Sequence, residues 1–453
     1  MSAERIAIPP ETAAVLQRLR AAGFSAYAVG GCVRDSLLKQ TPQDWDICTA
    51  ARPEEVERCF ADCRTILTGL RYGTVTVLWD GTAYEITTFR AESGYSDARH
   101  PDGVTFLSEL RGDLARRDFT INAMAADADG RVIDPFGGRV DLKKGILRCV
   151  GVPEERFSED ALRILRALRF AARLNLRIEP ETAQAMLALR DRLTLVAPER
   201  LHKELDGLLC GPAAARLLRE FKEILWVLLP ELRDEDGFVQ YNYHHAYTVW
   251  EHTLAALDAA EAEPVLRLAV LLHDIGKPAA FTMDKQLIGH FYGHAVIGAA
   301  MAGRILRRLH YDGETIRTVS ELVGRHDIQL YPPTEKRLRR ILAACGETQT
   351  RQLLRLRRAD RLGKGTEPPE RIEAFICEAE AALDAVLAKD DCLTLRQLAV
   401  SGRDLMAIGI PQGRKLGAIL NQLYNAVIEE NLRNNAAELI QYAQKLWNNM
   451  ESY

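Results

Sequence analysis

The sequence lacks several features that define whole classes of protein. Its nine cysteines are odd in number, scattered and without a C-x-x-C pair, which argues against a disulfide framework and predicts reduced thiols in a cytoplasmic protein. The apolar run Ile224–Leu229 is far shorter than the roughly 20 residues of a membrane span. Residues 1–20 lack a basic region followed by an apolar one, so we expect no secretory signal. The net charge of −4 excludes a globally basic nucleic-acid binder, and local basic patches would have to hold such a partner.

The remaining composition is that of a globular protein with several domains. A chain of 453 residues is too long for one hydrophobic core, and 47% hydrophobic and 27% charged residues are usual values. Apolar or alternating stretches predict strands at 26–29, 45–48, 73–78 and 83–89. Beyond Gly138 the apolar spacing is helical, so the sequence predicts an α/β N-terminal part and an all-helical remainder.

The first candidate site combines a glycine turn with a pair of carboxylates. Gly30 and Gly31 let backbone amides approach an anion closely, and Arg34 can add a charge-assisted bond. Asp44 and Asp46 lie two residues apart, so on an extended strand both point to one side, and such oxygen ligands suit Mg²⁺. Each motif alone is more often a plain turn or a solvated loop. Together they indicate a nucleoside triphosphate and a phosphoryl or nucleotidyl transfer.

Three further stretches could complete this site. The alternation from Ala83 to Phe89 makes Glu85 either a third acid beside the pair or an exposed strand residue with a basic partner. The polar segment 90–104 is predicted to be a long functional loop, the alternative being a plain hairpin loop. Arg116 and Arg117 could hold a triphosphate or a ribose, or form a surface salt-bridge cluster.

A predicted helix from Ser158 to Leu174 carries a second candidate feature. Ser158 is its expected N-cap, and Asp160 and Arg163, three residues apart, share one face. An ordinary ion pair is one interpretation. The other is a reader of the nucleotide base, because a carboxylate accepts from an exocyclic amine while a guanidinium donates to ring nitrogens and carbonyls. Such a pair would select C and A over U and G, which place a carbonyl where the amine would be.

These segments together resemble the bacterial class II tRNA nucleotidyltransferases, the CCA-adding enzymes of the polymerase-β-like superfamily. The resemblance runs from about Ala26 to about Leu209. It implies that Asp44 and Asp46 hold catalytic magnesium, with Glu85 at the third acidic position. It also implies nucleotide-binding roles for Gly30, Gly31, Arg34, Asp35, Arg117, Asp118, Asn122, Glu159, Asp160, Arg163 and Arg166. The loop around Asp97 and Arg99 matches a flexible element that helps to switch from C to A addition.

A second group of residues lies in the helical part and resembles the HD phosphohydrolase superfamily. Imidazoles and carboxylates on apolar helices favour a divalent transition metal. The resemblance implies a four-ligand site with two further ligands of the two-metal versions: His252, His273, Asp274 and Asp360, then His294 and His326. It also implies a metal-activated water that attacks a phosphoester. The alternative is a helical domain that keeps its ligands but serves only as an RNA scaffold.

The sequence therefore predicts an α+β protein with four parts. They are an N-terminal α/β nucleotidyltransferase head with a mixed β-sheet (1–150), an all-helical neck (151–235), an HD domain (236–368) and a helical tail (369–453). The predicted activity is template-independent addition of CCA to the tRNA 3′ end from CTP and ATP. Alternatives are a poly(A) polymerase, a partial A-adding or CC-adding enzyme, and an HD phosphohydrolase with an RNA-binding head. We expect no membrane partner, and the sequence gives no indication of the oligomeric state.

Overall fold

The computed structural model describes residues 5–67, 69–93, 103–242, 246–389 and 394–451. The chain forms two compact units, Met1–Pro230 and Glu231–Tyr453. The predicted domain borders after residues 150 and 368 lie inside these units and remain predictions. Within the described ranges, no helix is both long enough and apolar enough to cross a membrane.

The strands are short and most belong to the first unit. They are β1 (Ala26–Val29), β2 (Ile47–Thr49), β3 (Arg64–Ile66), β4 (Thr74–Trp79), β5 (Thr82–Thr88), β6 (Arg90–Ser93), β7 (Gly103–Phe106), β8 (Ala125–Ala126), β9 (Val132–Ile133), β10 (Ile146–Leu147), β11 (Arg177–Ile178), β12 (Thr282–Met283) and β13 (Gly289–His290). The two-residue strands after Gly138 were not predicted, and they interrupt the expected all-helical remainder only briefly.

Helices dominate the rest of the chain. In the first unit they are α1 (Pro10–Ala21), α2 (Gly31–Leu37), α3 (Pro53–Cys59), α4 (Leu110–Ala115), α5 (Gly138–Lys144), α6 (Pro153–Glu159), α7 (Leu162–Leu174), α8 (Pro180–Leu189), α9 (Pro198–Leu209), α10 (Ala214–Glu220) and α11 (Lys222–Leu228). In the second unit they are α12 (Val249–Ala259), α13 (Pro264–Leu272), α14 (Lys277–Ala280), α15 (His294–Arg308), α16 (Gly313–Arg325), α17 (Glu335–Lys364), α18 (Pro369–Ala388), α19 (Gly402–Ala407), α20 (Arg414–Ile428) and α21 (Ala436–Glu451).

A seven-stranded mixed sheet organises the head. Its strand order is β3-β4-β5-β2-β1-β8-β9, in which β2 and β5 run parallel and the other neighbours antiparallel. Tyr84 and Ile86 are buried and Glu85 is exposed, which confirms the predicted alternation along β5. One face of the sheet is covered by a core that includes Leu16, Val56 and other apolar residues of α1 and α3.

Two expectations about local structure are wrong. The strand after the aspartate pair begins at Ile47, so Asp44 and Asp46 precede it, although the Asp46 carbonyl already accepts from the Val29 amide (2.9 Å). The predicted helix 158–174 is two helices, because Asp160 adopts an extended backbone (φ −141°, ψ 104°) after α6. Ser158 is therefore inside α6, and Asp160 and Arg163 do not share one helical face.

The loop predicted between residues 90 and 104 begins and ends as a hairpin. Strands β6 and β7 pair antiparallel, with Arg90 opposite Phe106 and Ser93 opposite Gly103. The residues between them, including Asp97 and Arg99, lie outside the described ranges.

The second unit is helical, apart from the small hairpin β12–β13. Its centre is formed by α12 against α13 and α17, and by α15 against α16. The long helix α17 is kinked at Gly346, where φ is 75° and ψ is 175°. A separate apolar core, which includes Leu405, Ile419 and Leu439, joins α19, α20 and α21.

Candidate active site

The glycine turn of the head follows β1 directly and opens α2. Gly30 has a φ of 85°, a left-handed backbone that side chains disfavour, and a Cβ there would lie 3.1 Å from Arg117 Nη1. Arg34 is buried: its Nη1 donates to Asn122 Oδ1 (2.6 Å) and its Nε to Asp35 Oδ1 (2.8 Å). Its guanidinium thus stabilises the turn from inside the protein, whereas the sequence analysis considered it as a direct ligand of a phosphate.

Three carboxylate residues lie near one another at neighbouring strand ends. Ile47 pairs with Ile86 in the parallel register of β2 and β5, so Asp46 is beside Glu85, and Asp44 is two residues away. All three are exposed, and no ion pair among the described residues engages them. Partial removal from water and the charges of Asp44 and Glu85 raise the pKa of Asp46 to about 6. Arg117 offsets part of this charge by lowering the pKa of Asp46, and a group of acids with no ion-pair partner among the described residues is chemically suited to a hard cation such as Mg²⁺.

Behind this acidic edge lies a network of buried ion pairs. Asp113 is fully buried, and its carboxylate accepts from Arg116 (2.7 and 2.9 Å) and Arg117 (3.3 Å). Asp118 accepts from both Arg166 Nε and Nη2 (3.0 and 2.9 Å) and from Asn122 Nδ2 (3.2 Å). Burial alone would raise the pKa of Asp118, but the guanidinium charges around it lower that pKa. These contacts fix Arg117 and Asn122 next to the glycine turn.

The predicted base-reading residues are present, but each has another partner. Asp160 is held by Arg200 of α9, with Nη2–Oδ2 at 2.7 Å and Nη1–Oδ1 at 3.4 Å. Arg163 donates to Glu159 Oε2 (2.6 Å) and to the carbonyl of Arg116 (3.3 Å). The structure thus presents a carboxylate and a guanidinium near the break between α6 and α7, each oriented by its own partner.

The histidines and aspartates of the second unit form one buried cluster. His252 Nε2 lies 3.1 Å from His273 Nε2 and 3.3 Å from Asp274 Oδ2. On the other side of the same carboxylate, Asp274 Oδ1 lies 3.6 Å from His294 Nε2 and 3.4 Å from His326 Nε2. The two histidines of this second half lie 3.1 Å apart, and Asp360 Oδ1 joins the first half at 3.3 Å from His252. Asp274 is therefore shared between two groups of ligand atoms.

The orientation of the imidazoles fits metal binding. His273, His294 and His326 each place Nδ1 2.7–2.8 Å from a backbone carbonyl three residues earlier, which leaves Nε2 facing the cluster. Ligand atoms about 2.1 Å from one ion lie roughly 3.0–3.4 Å apart in tetrahedral or octahedral geometry. Most of the spacings above are of that size, and within each group all ligand atoms lie within 4.8 Å of one another. The residues present therefore fit one or two divalent ions.

The pKa values of the cluster residues are shifted by their neighbours. Although burial acts in the opposite direction, His273 and Lys277 hold the pKa of Asp274 well below its usual range. Burial would also lower the pKa of His252, but Asp274 and Asp360 raise it to about 9. Lys277 Nζ lies 2.7 Å from Asp274 Oδ2 and donates to a neighbouring glutamine. A divalent cation bound by the imidazole Nε2 atoms would take the place of the His252 proton beside these two carboxylates.

Comparison with known proteins identifies the family. Models of the poly A polymerase head domain, of the RNA and SrmB binding site of polymerase A, and of tRNA nucleotidyltransferase domain 2 match residues 26–148, 175–235 and 281–443. A CCA-adding enzyme from Limosilactobacillus fermentum is 35% identical over 95% of this chain and 96% of its own length. The chain belongs to the family of CCA-adding enzymes.

Coverage differs among the relatives. The CCA-adding enzyme of Lactobacillus delbrueckii subsp. bulgaricus is 50% identical over 46% of this chain, an alignment that spans 52% of that relative. The crystal structure of the Bacillus stearothermophilus CCA-adding enzyme in complex with CTP matches with a TM-score of 0.71 at 29% identity, over 98% of this chain and 100% of that one. The Thermotoga maritima CCA-adding enzyme complexed with tRNA matches at 0.54 and 19% identity over 96% and 94%, and shows the shared fold alone. These matches confirm the predicted α+β fold with a nucleotidyltransferase head.

The sequence analysis missed several residues that position side chains at the two candidate sites of this member of the CCA-adding enzyme family. Arg200 holds Asp160 from another helix, and no local pattern pointed to it. Asp113 holds Arg117 at the i,i+4 spacing of a helical ion pair, a local pattern that the sequence analysis did not use. Glu235, outside the recognised motifs, is fully buried, and its Oε2 accepts from Thr253 beside the cluster (3.3 Å). Its burial and the nearby Asp274 charge raise its pKa to about 8. It lies in the polar stretch Arg233–Gly237, where nothing in the sequence signals a buried side chain.

Proposed function

We propose that this chain adds C, C and A in turn to the 3′ end of tRNA, using CTP and ATP and releasing pyrophosphate in the cytoplasm. The observation that carries the proposal is the group of Asp44, Asp46 and Glu85 beside the Gly30 turn, which no ion pair of the described ranges engages, in a chain that resembles CCA-adding enzymes over nearly its whole length. The site has the two elements that nucleotidyl transfer needs, an acidic edge for metal and a turn next to fixed arginines for phosphate.

The oxygen donors of the head favour Mg²⁺, which Asp44 and Asp46 would hold. When bound, Mg²⁺ supplies the Lewis acidity that promotes attack of the tRNA 3′ hydroxyl and departure of pyrophosphate. Arg117, held by Asp113 next to Gly30, is our candidate for the cation that contacts the triphosphate. Glu85 would be a third carboxylate beside the pair.

Base selection is assigned to Asp160 and Arg163. The Asp160 carboxylate accepts from the exocyclic amine of cytosine or adenine, and Arg163 donates to the adjacent ring acceptor. Uracil and guanine would place a carbonyl oxygen against a carboxylate oxygen, two acceptors with no hydrogen to share between them. Arg200 and Glu159 support this assignment because they hold the two side chains in place without help from substrate.

A single assay separates this proposal from its rivals. Purified protein is incubated with tRNA that lacks its 3′ CCA, and with CTP or ATP singly and together, and the products are sized. Addition of exactly CCA with both nucleotides supports the proposal. A long A tail would indicate a poly(A) polymerase, and products limited to CC or to A on a CC end would indicate a partial enzyme. No incorporation at all would leave the phosphohydrolase with an RNA-binding head.

We also propose that the second unit is a metal-dependent HD-type phosphohydrolase. The observation behind this second activity is Asp274, whose two oxygens face two separate groups of imidazole Nε2 atoms. Imidazole and carboxylate donors suit Ni²⁺, Mn²⁺ or Co²⁺ better than Mg²⁺. A bound transition metal would supply an acidified water at neutral pH. In the hydrolysis, a water oxygen bonds to phosphorus as the bond to the leaving oxygen breaks, and a water proton passes to that oxygen.

The test of the second activity begins with metal analysis of the purified chain. We expect stoichiometric transition metal, and hydrolysis of phosphoesters that rises when Ni²⁺, Mn²⁺ or Co²⁺ is added. His273→Ala should abolish hydrolysis and leave CCA addition largely intact, because the head shares no ligand with the cluster. Protein that binds no transition metal and hydrolyses no ester after its addition would support the RNA-scaffold alternative.

A further inference from the structure

We infer that the start of α17 is a surface for an RNA backbone, and that acidic residues of the α19–α21 bundle occupy this surface until RNA displaces them. The inference rests on the proposed function, which supplies tRNA as the partner. In a chain of net charge −4, α17 carries ten basic and three acidic residues. Its densest stretch is Lys336–Arg340, with four basic residues in five positions, which we call the basic segment. A polyanion is the class of partner that such a segment attracts.

Two glutamates of the bundle neutralise the basic segment. Glu429 directly follows α20, and its two carboxylate oxygens accept from Nε and Nη2 of Arg340. Lys336 Nζ, one helical turn away on the same face of α17, lies 3.6 Å from Glu429 Oε2. Glu430 Oε1 lies 3.8 Å from Nη2 of the more buried Arg339. In the two-oxygen arrangement at Arg340, the carboxylate occupies the guanidinium as a phosphate group would.

The ion pairs of Glu429 lie where RNA can compete for them. The side chains of Lys336, Arg340 and Glu429 are 41%, 48% and 32% exposed. Exposed ion pairs contribute little to stability, because water and salt screen them. An RNA backbone offers several phosphates to one basic segment and releases counterions on binding, which a single carboxylate does not. Backbone phosphates should therefore replace Glu429 as the partner of Lys336 and Arg340.

The α19–α21 bundle has an apolar core of its own. That core includes Leu405, Ile419 and Leu439 and is formed by residues between 398 and 450. Replacement of Glu429 by a phosphate at the basic segment therefore leaves the core of the bundle intact. The exchange changes only which anion faces Lys336 and Arg340, so removing the Glu429 charge should favour RNA without unfolding the bundle.

The first experiment measures the affinity of the full chain for tRNA that lacks its CCA end, by fluorescence anisotropy at low salt and without nucleotides. Glu429→Gln should tighten binding about two- to fivefold, the effect of one exposed ion pair that RNA no longer has to displace. Adding Arg340→Gln should remove this gain. The matched control is Asp384→Asn in α18, which also removes one negative charge and one ion pair to an arginine of α17, Arg351 (2.7 Å), outside the basic segment. This control should bind tRNA as the wild type does. A wild-type affinity in Glu429→Gln, or an equal gain in Asp384→Asn, would overturn the inference.

The second experiment follows the ion pair itself. A carbodiimide joins a neighbouring amine and carboxylate without a spacer, so the free wild-type chain should give a Lys336–Glu429 cross-link that mass spectrometry detects. Saturating tRNA should suppress this cross-link several-fold and spare the one between Glu335 and Lys389, a pair that does not involve the bundle. A Lys336–Glu429 cross-link that persists at saturating tRNA would overturn the inference.

The two measurements separate this inference from the proposed function, because neither includes CTP or ATP. A chain that binds tRNA and loses the Lys336–Glu429 cross-link, yet incorporates no nucleotide, would refute CCA addition alone. If neither the wild type nor Glu429→Gln binds tRNA, the basic segment is not an RNA surface, whatever reaction the head catalyses.

Discussion

Replacing Arg200 by methionine should loosen the choice of nucleotide without removing any group that touches substrate. Arg200 binds the Asp160 carboxylate in a nearly bidentate arrangement, at 2.7 and 3.4 Å. In the variant, the Leu162 amide alone among the described partners still donates to that carboxylate (3.0 Å). We expect Asp160 to become mobile and to meet the amine of cytosine or adenine in a smaller fraction of encounters.

The size of the effect follows from the exposure of the pair. The two side chains are 23% and 14% exposed, between a surface ion pair worth about 0–1 kcal/mol and a buried charge-assisted bond worth about 1.5–3 kcal/mol. A loss of about 1–2 kcal/mol corresponds to roughly a 5- to 30-fold decrease in discrimination. The assay is the ratio of kcat/KM for CTP to that for UTP, measured on tRNA lacking its CCA end.

A double-mutant comparison shows whether Arg200 acts through Asp160. Asp160→Ala should reduce the same ratio, and adding Arg200→Met to it should have little further effect, because the two changes break one unit. Lys203→Met removes an exposed charge from the same helix and should leave the ratio unchanged. An Arg200→Met variant with the wild-type ratio of kcat/KM values would contradict this role for Arg200. So would a double variant in which the decreases caused by Asp160→Ala and Arg200→Met add in free energy.

Three further predictions concern the acidic edge, the glycine turn and the second unit. Asp44→Ala or Asp46→Ala should lower CCA addition roughly a thousandfold or more with the fold intact, and near-normal incorporation with Mg²⁺ would contradict the metal assignment. Gly30→Ala should destabilise the head by about 1 kcal/mol and slow addition, because its φ of 85° is strained for alanine and the new Cβ meets Arg117, as unfolding and rate measurements would show. Burial raises the pKa of Glu235 to about 8, whereas in the unfolded chain the same carboxyl loses its proton near its ordinary pKa. The wild-type protein without metal therefore loses stability as the pH rises from about 5 to about 8. Glu235→Gln removes the titrating group, so the variant should become increasingly more stable than the wild type over that range. Thermal unfolding midpoints that show no such pH trend would disprove it.

The parts of this fold that the sequence predicted well are those set by local periodicity. The alternation at Tyr84, Glu85 and Ile86 follows from the pleat of a half-buried strand, and the parallel pairing of β2 with β5 then brings Glu85 to the aspartates. The break between α6 and α7 at Asp160 could not be predicted from periodicity. Helical spacing continues across it, and the extended backbone is stabilised by Arg200, a partner forty residues further along the chain.

The same distinction holds for the side chains of both candidate sites. The acids and imidazoles were recognisable because metal and phosphate chemistry restricts residue type, whatever the fold around them. The residues that hold them in place were not recognisable in the same way, since any arginine of suitable reach can bind an aspartate. Arg200 became identifiable only when the fold placed it within 3.5 Å of Asp160. Asp113, by contrast, lies three and four residues before Arg116 and Arg117, a helical spacing that the sequence already shows.

The pattern of charge pairing separates residues that build the head site from those available to substrate. Arg34, Asp118 and Arg166 are engaged by protein partners, so their charges are neutralised before any ligand arrives. Asp44 and Asp46 have no such partner among the described residues, and the pKa of Asp46 is raised because its neighbours carry the same charge. In the part of the chain that the structure describes, folding therefore leaves these carboxylates without an ion-pair partner at one edge of the sheet, with only the charge of Arg117 acting on Asp46. A divalent cation with its triphosphate is the ligand that would neutralise them, which is why we place the chemistry at this edge and assign the buried arginines to support.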